Sequence, residues 1–296
     1  MIKNKEIYLL YIKKAFGLLT IMLLCFFLYN NQDKLLHLKV ISFQNFVFLM
    51  FLNLLNLFIL TFIQQTTVKP FIDKVSFFYI FKLISIGQLS NLIFPSKIGM
   101  WTPGLYLKTK YNFDYKIFSF GVMLQAIIAI LVLIFISINI YFIKENSFIL
   151  TGTFSSLFIA FIFFLYTKFG LPKVLKKNKL IPQVFNKLFN RKVFIKITIA
   201  HVFILFIYVL RIYFVFEYTG INLSFYSCFF ACIFTLVLGA VPFLPGVIGI
   251  REATISSYLL IYGVDLVTVS SVLLLERCAQ LIITTPFSVM GYLNNK

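Results

Sequence analysis

The sequence predicts an all-α polytopic membrane protein. Hydrophobic residues make up 61% of the 296 residues and charged residues only 12%, whereas a soluble domain carries about 25% charged residues. The apolar residues are gathered into eight segments, most of them long enough for a helix that crosses the hydrocarbon core, which needs about 20 residues. These segments lie at about 15–29, 45–63, 77–94, 117–143, 148–167, 197–216, 225–244 and 266–292. We therefore predict a single integral membrane domain over residues 1–296.

Composition and motifs argue against a nucleic-acid-binding protein and against a metal or cofactor site. The net charge is +18, but the basic residues lie in short connections between apolar segments, as the positive-inside rule describes. No polar segment is long enough to fold into a domain that holds nucleic acid. The chain has only two histidines, His37 and His201, and no phosphate-binding glycine motif or HExxH motif, so we predict no metal site and no cofactor. The cysteines lie in apolar segments, where we expect packing roles.

We expect the first apolar segment to be an uncleaved membrane span. Basic residues precede the apolar segment 15–29, and no small-residue cleavage site follows it.

Two less apolar stretches, 95–116 and 245–265, decide the rest of the topology. If 77–116 and 225–265 each enter the membrane and return to the same side, only Lys34, Lys39 and Lys144 fall in outer connections. The positive-inside rule favours this arrangement over eight simple crossings. It gives about six full transmembrane helices and two re-entrant helical hairpins, in the cytoplasmic (plasma) membrane.

In this topology both termini are cytoplasmic. So is the loop 168–196, which contains nine basic residues and no acidic ones. This loop either lies along the anionic inner leaflet or is simply solvated.

The two hairpins belong to an internal repeat, approximately 77–143 and 225–292. Pro95-Ser-Lys-Ile-Gly99 matches Pro245-Gly-Val-Ile-Gly249, and Asp114 matches Asp265. An odd number of predicted spans separates the hairpins, so the second one enters from the opposite side. Inverted repeats whose broken helices meet near the midplane are typical of secondary transporters.

Two charged dipeptides in the second repeat are the candidate site. Arg251-Glu252 and Glu276-Arg277 lie in otherwise apolar sequence, although a charge at the centre of an apolar helix costs about 2.5–3.5 kcal/mol on insertion scales. Helical neighbours point about 100° apart and cannot pair with each other. We therefore predict crosswise pairs, Arg251 with Glu276 and Glu252 with Arg277.

The pairs have two interpretations. They form a structural clamp, or they form a lipid-binding site in which Arg and a helix N-terminus meet a phosphate while Glu meets an ammonium group or a proton. The break at Pro245, Gly246 and Gly249 frees the backbone donors of the following helix. Arg211, in the preceding span, either lines the same cavity or extends toward a headgroup.

The first repeat offers weaker counterparts of this site. Trp101, Thr102, Gln125 and Ala126 occupy the positions that correspond to the charged residues, and none of them is charged. We take the remaining counterparts to be Asn91, Pro95, Lys97 and Gly99. A functional site in this chain is therefore expected to be asymmetric.

Two motifs resemble a known family, the lysylphosphatidylglycerol synthase transmembrane region, also called flippase-like or UPF0104-type membrane proteins. Asn91-x-x-x-Pro95-x-Lys97-x-Gly99 resembles its N-x-x-x-P-x-x-x-G-E element, with Met100 in place of the acidic residue. Pro245-Gly-Val-Ile-Gly249-Ile-Arg251-Glu252-Ala, followed by Gly263 and Glu276-Arg277, resembles its P-G-G-x-G-x-R-E-A … G … R element. The resemblance covers roughly residues 10–292.

The resemblance implies a membrane domain that binds and translocates a phospholipid or a polyprenyl-phosphate-linked lipid, and we expect the soluble aminoacyltransferase domain to be absent. An alternative is a membrane subunit that accompanies a glycosyltransferase or lipid-modifying enzyme without transport activity of its own. A membrane-embedded transferase is disfavoured, because the nine acidic residues never cluster as a catalytic metal site requires. We expect no catalytic residues, membrane lipids as partners, and no nucleic acid.

Overall fold

The computed structural model describes residues 41–93, 98–144, 187–188, 190–240 and 250–293. Regular structure in this part of the chain is entirely helical. The helices are α1 (Phe43–Val68), α2 (Phe77–Ile93), α3 (Ile98–Tyr111), α4 (Tyr115–Lys144), α5 (Arg191–Tyr218), α6 (Phe225–Ala240), α7 (Ile250–Leu259) and α8 (Leu266–Leu293). A 3₁₀ turn, Leu260–Tyr262, follows α7.

Four of these helices, α1, α4, α5 and α8, are long and apolar enough to cross a membrane. They correspond to the predicted apolar segments at 45–63, 117–143, 197–216 and 266–292. The predicted segments at 15–29 and 148–167 lie outside the described residues, as does the basic loop 168–196 apart from 187–188 and 190–196. The helical described residues and their four candidate spans agree with the predicted all-α polytopic membrane protein.

The described helices follow one order of lengths twice. Helices α1 to α4 have 26, 17, 14 and 30 residues. Helices α5 to α8 have 28, 16, 10 and 28 residues. Each series therefore places two short helices between two long ones.

Corresponding helices in the two series also begin with the same kind of cap. Ser76 precedes α2 and Ser224 precedes α6, and each hydroxyl accepts a backbone N–H three residues on, at 3.2 and 3.1 Å. Asp114 and Asp265 precede α4 and α8, and their carboxylates accept backbone N–H groups at 2.8 and 2.7 Å. Such side chains satisfy donors that the first helical turn leaves unpaired, which explains why these helices begin where they do.

The described chain forms two compact units. Unit 1 contains residues 41–58, 81–103 and 207–293, and unit 2 contains residues 59–80 and 104–206, within the limits of the described ranges.

Within unit 1, α2 and α3 approach each other backbone to backbone. A Cβ atom built at Gly99 would overlap the carbonyl oxygen of Gly87, and one at Gly87 would overlap that of Gly99. Gly291 of α8 also lies close to α2, though less tightly, because an added Cβ would sit 3.1 Å from Cβ of Lys82. Glycine is the residue that allows helix backbones to come this close in membranes.

Unit 2 has an apolar core formed by α1, α4 and α5. Ile63, Leu124 and Ile197 are almost completely buried there. Leu188, at the end of the predicted basic loop, packs into the same core with 1% of its surface exposed. Its neighbour Lys187 donates a hydrogen bond to the carbonyl oxygen of Pro70 at 2.9 Å. These contacts attach the chain before α5 to the connection between α1 and α2.

The α1–α2 and α3–α4 connections also meet in unit 2. The rings of Phe71 and Phe113, one from each connection, lie 6.1 Å apart, and those of Tyr79 and Tyr111 lie 5.7 Å apart. The start of α2 and the end of α3 are therefore neighbours, so the two short helices form a hairpin.

Large apolar side chains remain exposed along the long helices. Phe203 and Phe206 on α5 and Ile127 on α4 each expose more than half of their surface. A soluble monomer rarely leaves so much apolar surface in water, so these faces are suited to contact with lipid.

Candidate functional site

The charged residues of α5, α7 and α8 meet inside unit 1. Arg251 and Glu252 occupy the first turn of α7, and Glu276 and Arg277 lie near the middle of α8. Arg211 reaches them from α5. We call these five residues the charged cluster.

The predicted crosswise pairing is confirmed. Nη2 of Arg251 lies 2.5 Å from Oε2 of Glu276, and Nη2 of Arg277 lies 2.7 Å from Oε1 of Glu252. Neighbouring residues on one helix diverge, so each member of a dipeptide finds its partner on the other helix. The two pairs hold α7 against α8.

Arg211 adds a second arginine to one of these pairs. Its Nη2 donates to Oε1 of Glu276, so the two oxygens of that carboxylate serve two different helices. Glu276 is 0% exposed, and Arg211 and Arg251 are 2% and 5% exposed. The sequence left two roles open for Arg211: lining the same cavity as the other charges, or extending toward a headgroup. The structure places Arg211 beside the other charges.

The charged cluster contains three arginines and two glutamates, so it carries one positive charge in excess. Its side chains are buried except Glu252, which exposes 14% of its side chain. Moving an ion out of water into a protein costs several kcal/mol even after the surroundings relax, unless a counter-charge compensates. The N-terminus of α7 adds its own partial positive charge at the same place. The site is therefore electrostatically suited to an anion.

Several hydrogen-bond donors at the site are unused within the described part of the chain. The Nε atoms of Arg211 and Arg251 are buried and have no partner there, and the same is true of the hydroxyl of Tyr208. The Tyr208 ring centroid lies 5.5 Å from Cζ of Arg251 and 5.9 Å from Cζ of Arg211. Ser256 lies one turn beyond Glu252 on α7. Its hydroxyl is also buried and has no hydrogen-bond partner among the described residues. An oxyanion, which only accepts hydrogen bonds, matches these donors.

Tyr208 was not identified from the sequence. Its spacing from Arg211 by three residues places both side chains on one face of α5, and this spacing is the signal that was available. It becomes informative only once Arg211 is known to face the cluster.

Five residues of the predicted site lie outside the described part of the chain. These are Pro245, Gly246 and Gly249 in the second repeat, and Pro95 and Lys97 in the first. Helix α7 begins at Ile250, directly after the predicted break.

The first-repeat counterparts that the structure describes are neutral and are divided between the two units. In unit 1, Asn91 lies against Gly99, where an added Cβ would sit 2.7 Å from its Oδ1. In unit 2, Nε2 of Gln125 donates to Oγ1 of Thr67 at 2.6 Å and to Oε1 of Gln64 at 3.4 Å. Hydrogen bonds of this kind join helices in membranes, and we assign this group a packing role.

Among the described residues, no group of three His, Cys, Asp or Glu side chains is arranged to hold a metal ion. Cys228 and Cys232 are buried one turn apart on α6 as free thiols.

Comparison with known proteins identifies one family. The family model described as lysylphosphatidylglycerol synthase TM region matches residues 11–288. No curated protein and no solved structure matches the chain.

Proposed function

Because the chain belongs to the lysylphosphatidylglycerol synthase transmembrane-region family, we propose that it binds and translocates a phospholipid or a polyprenyl-phosphate-linked lipid across the cytoplasmic membrane. The chain is a multi-pass membrane protein of a family concerned with lipid handling. The charged cluster is the proposed headgroup site. Membrane lipids are the proposed partners, and the proposal assigns the chain no catalytic step.

The observation that carries this proposal is the excess positive charge of the buried cluster. A lipid phosphate supplies the missing negative charge together with oxygen acceptors for the Nε groups of Arg211 and Arg251. The hydroxyl of Tyr208 and the first backbone N–H groups of α7 complete the set of donors. Glu252, the most exposed acid of the cluster, is placed to meet an ammonium group of the headgroup or a proton.

The proposed topology puts this site near the middle of the bilayer. At about 1.5 Å per residue, the ten residues of α7 rise only about 15 Å, half of a hydrocarbon core of about 30 Å. Helices α2 and α6, with 17 and 16 residues, also fall short of that thickness. If the far end of α7 lies at one surface, its charged first turn lies near the midplane.

The contacts between Phe71 and Phe113 and between Tyr79 and Tyr111 support a hairpin of α2 and α3 that returns to its starting side. The repeated order of helix lengths supports an internal repeat, and the charge distribution supports its inversion, with both termini in the cytoplasm. In this arrangement the two re-entrant hairpins supply the broken helices between which a headgroup passes.

The test uses purified protein in liposomes that contain a fluorescent phospholipid or a fluorescent polyprenyl-phosphate sugar. A membrane-impermeant quencher reports the lipid that reaches the outer leaflet. We expect the protein to expose inner-leaflet label of at least one of these lipids, beyond the level in liposomes that contain an unrelated multi-pass protein. No gain for either lipid, together with co-purification of a glycosyltransferase, contradicts the proposal and favours the accessory-subunit alternative.

A further inference from the structure

A second charged feature lies at one end of unit 2, where the chain connections meet. We call residues 69–79, 107–116 and Lys187 the basic end. Aromatic contacts join the first two segments, and the hydrogen bond from Lys187 to the carbonyl of Pro70 joins the third. Every lysine in the basic end is exposed. The acidic residues of these segments are Asp73 and Asp114, and the Asp114 carboxylate already caps α4.

Two of these lysines are held in place by aromatic rings. Nζ of Lys110 lies 4.1 Å from the ring centroid of Tyr79 and 5.9 Å from that of Tyr111. Nζ of Lys187 lies 4.9 Å from the ring centroid of Phe71. Contacts between an ammonium group and a ring face reduce the freedom of the lysine side chain while leaving its charge available. The basic end is therefore partly preorganised for an anionic partner.

The rings also indicate the kind of partner. Tyrosines concentrate at the level of the lipid headgroups. Tyr111 is partly exposed, whereas the hydroxyl of Tyr79 is buried. Because Nζ of Lys110 lies over the Tyr79 ring and near the Tyr111 ring, that charge lies at the same level as the rings. A charge at this level faces lipid headgroups, whereas a docking site for a soluble protein would extend beyond the rings into water.

We propose that the basic end of unit 2 binds anionic phospholipid headgroups of the adjacent leaflet, with Lys110, Tyr79 and Tyr111 at its centre. This site differs in character from the charged cluster of unit 1. Its lysines are exposed and have few counter-charges nearby, so it holds lipid by attraction that salt screens. The inference does not depend on whether the protein translocates lipid.

The experiment measures the thermal stability of the purified full chain in mild detergent with added short-chain phosphatidylglycerol or phosphatidylcholine. One variant combines Lys108→Gln, Lys110→Gln and Lys116→Gln. The control combines Lys34→Gln, Lys39→Gln and Lys144→Gln, which removes the same charge from connections that the sequence assigns to the opposite side. Both variants keep the charged cluster intact, so lipid bound there contributes equally to each.

We expect phosphatidylglycerol to stabilise the wild type more than phosphatidylcholine does. The extra stabilisation should fall at least about twofold in the first variant, remain in the control, and disappear in high salt. The single variant Lys110→Gln, which removes one charge, should show a smaller decrease in the same direction. It replaces the triple variant in the measurement if the triple variant does not fold.

Equal phosphatidylglycerol shifts in the wild type and the Lys110→Gln variant would overturn the proposal. A second contradicting result is that a soluble poly-glutamate peptide stabilises the protein as strongly as phosphatidylglycerol does, with the same dependence on Lys110. That result would identify the basic end as a surface for an acidic protein.

Discussion

Arg211 and Arg251 share a single carboxylate, that of Glu276, which accepts a hydrogen bond from each on a different oxygen. The two guanidinium groups come from α5 and α7, and Glu276 lies on α8 between them. Glu276 therefore connects three helices and separates two like charges. Loss of either arginine leaves Glu276 with a partner, but loss of the Glu276 charge leaves two buried cations facing each other.

This arrangement predicts unequal effects of charge removal within the cluster. Glu276→Gln should destabilise the protein strongly, since breaking a buried ion pair costs about 3–5 kcal/mol. Arg251→Gln should cost clearly less, because Glu276 keeps Arg211 and the excess positive charge disappears. The measurement is the unfolding midpoint in detergent.

Glu217→Gln, the same substitution at an exposed position of α5, is the control and should change the midpoint little. Equal losses in Glu276→Gln and Arg251→Gln would contradict the sharing of the carboxylate.

The close approach of α2 and α3 predicts that Gly99→Ala disrupts folding. The added methyl group would overlap the carbonyl of Gly87. A backbone carbonyl cannot relieve the overlap by changing rotamer, as a side chain can. Overpacking of this kind costs about 1–3 kcal/mol or more. Folded yield and monodispersity in detergent are the readouts.

Ser90→Ala on α2 removes a hydroxyl that donates to the carbonyl of Ile86 within its own helix, and this variant should behave like the wild type. A Gly99→Ala variant with wild-type yield and midpoint would show that the two helices can move apart at little cost.

The proposed topology predicts which positions react with a membrane-impermeant thiol reagent. On a background without cysteine, single cysteines at Lys74, Lys116 and Lys192 should be labelled from the cytoplasmic side, and those at Lys34 and Lys144 from the outer side. This labelling follows because, with two re-entrant hairpins, the positive-inside rule assigns the lysine-rich connections to the cytoplasm. Opposite labelling of Lys74 and Lys116 would show that α2 and α3 together cross the membrane.

The crosswise pairs were predictable because helix geometry alone prevents neighbours such as Arg251 and Glu252 from pairing. The four long helices were predictable from apolar length, and Asp114 and Asp265 are capping residues that a sequence displays directly.

The sharing of Glu276 by Arg211 was not predictable in the same way. No local rule specifies which helix packs beside α7 and α8, or which face of α5 it presents to them. Tyr208 was not predictable for the same reason. Its three-residue spacing from Arg211 is informative only once the face of α5 that meets the cluster is known. Likewise, hydropathy gives no sign that Gly87 and Gly99 touch, since that contact depends on how the chain turns between α2 and α3.

The variant Arg251→Lys tests whether the charged cluster binds a lipid phosphate. Lysine keeps the positive charge but loses the planar fork and the Nε donor of arginine. Arg191→Lys is the matched control, because Arg191 is exposed and lies outside the charged cluster.

The measurement is lipid translocation per folded molecule in liposomes, with the folded fraction taken from monodispersity. We expect Arg251→Lys to fold and to lose translocation about tenfold, which corresponds to about 1.4 kcal/mol, while Arg191→Lys keeps wild-type activity. Wild-type translocation by folded Arg251→Lys would contradict phosphate binding by the cluster and would identify the cluster as a structural clamp between helices.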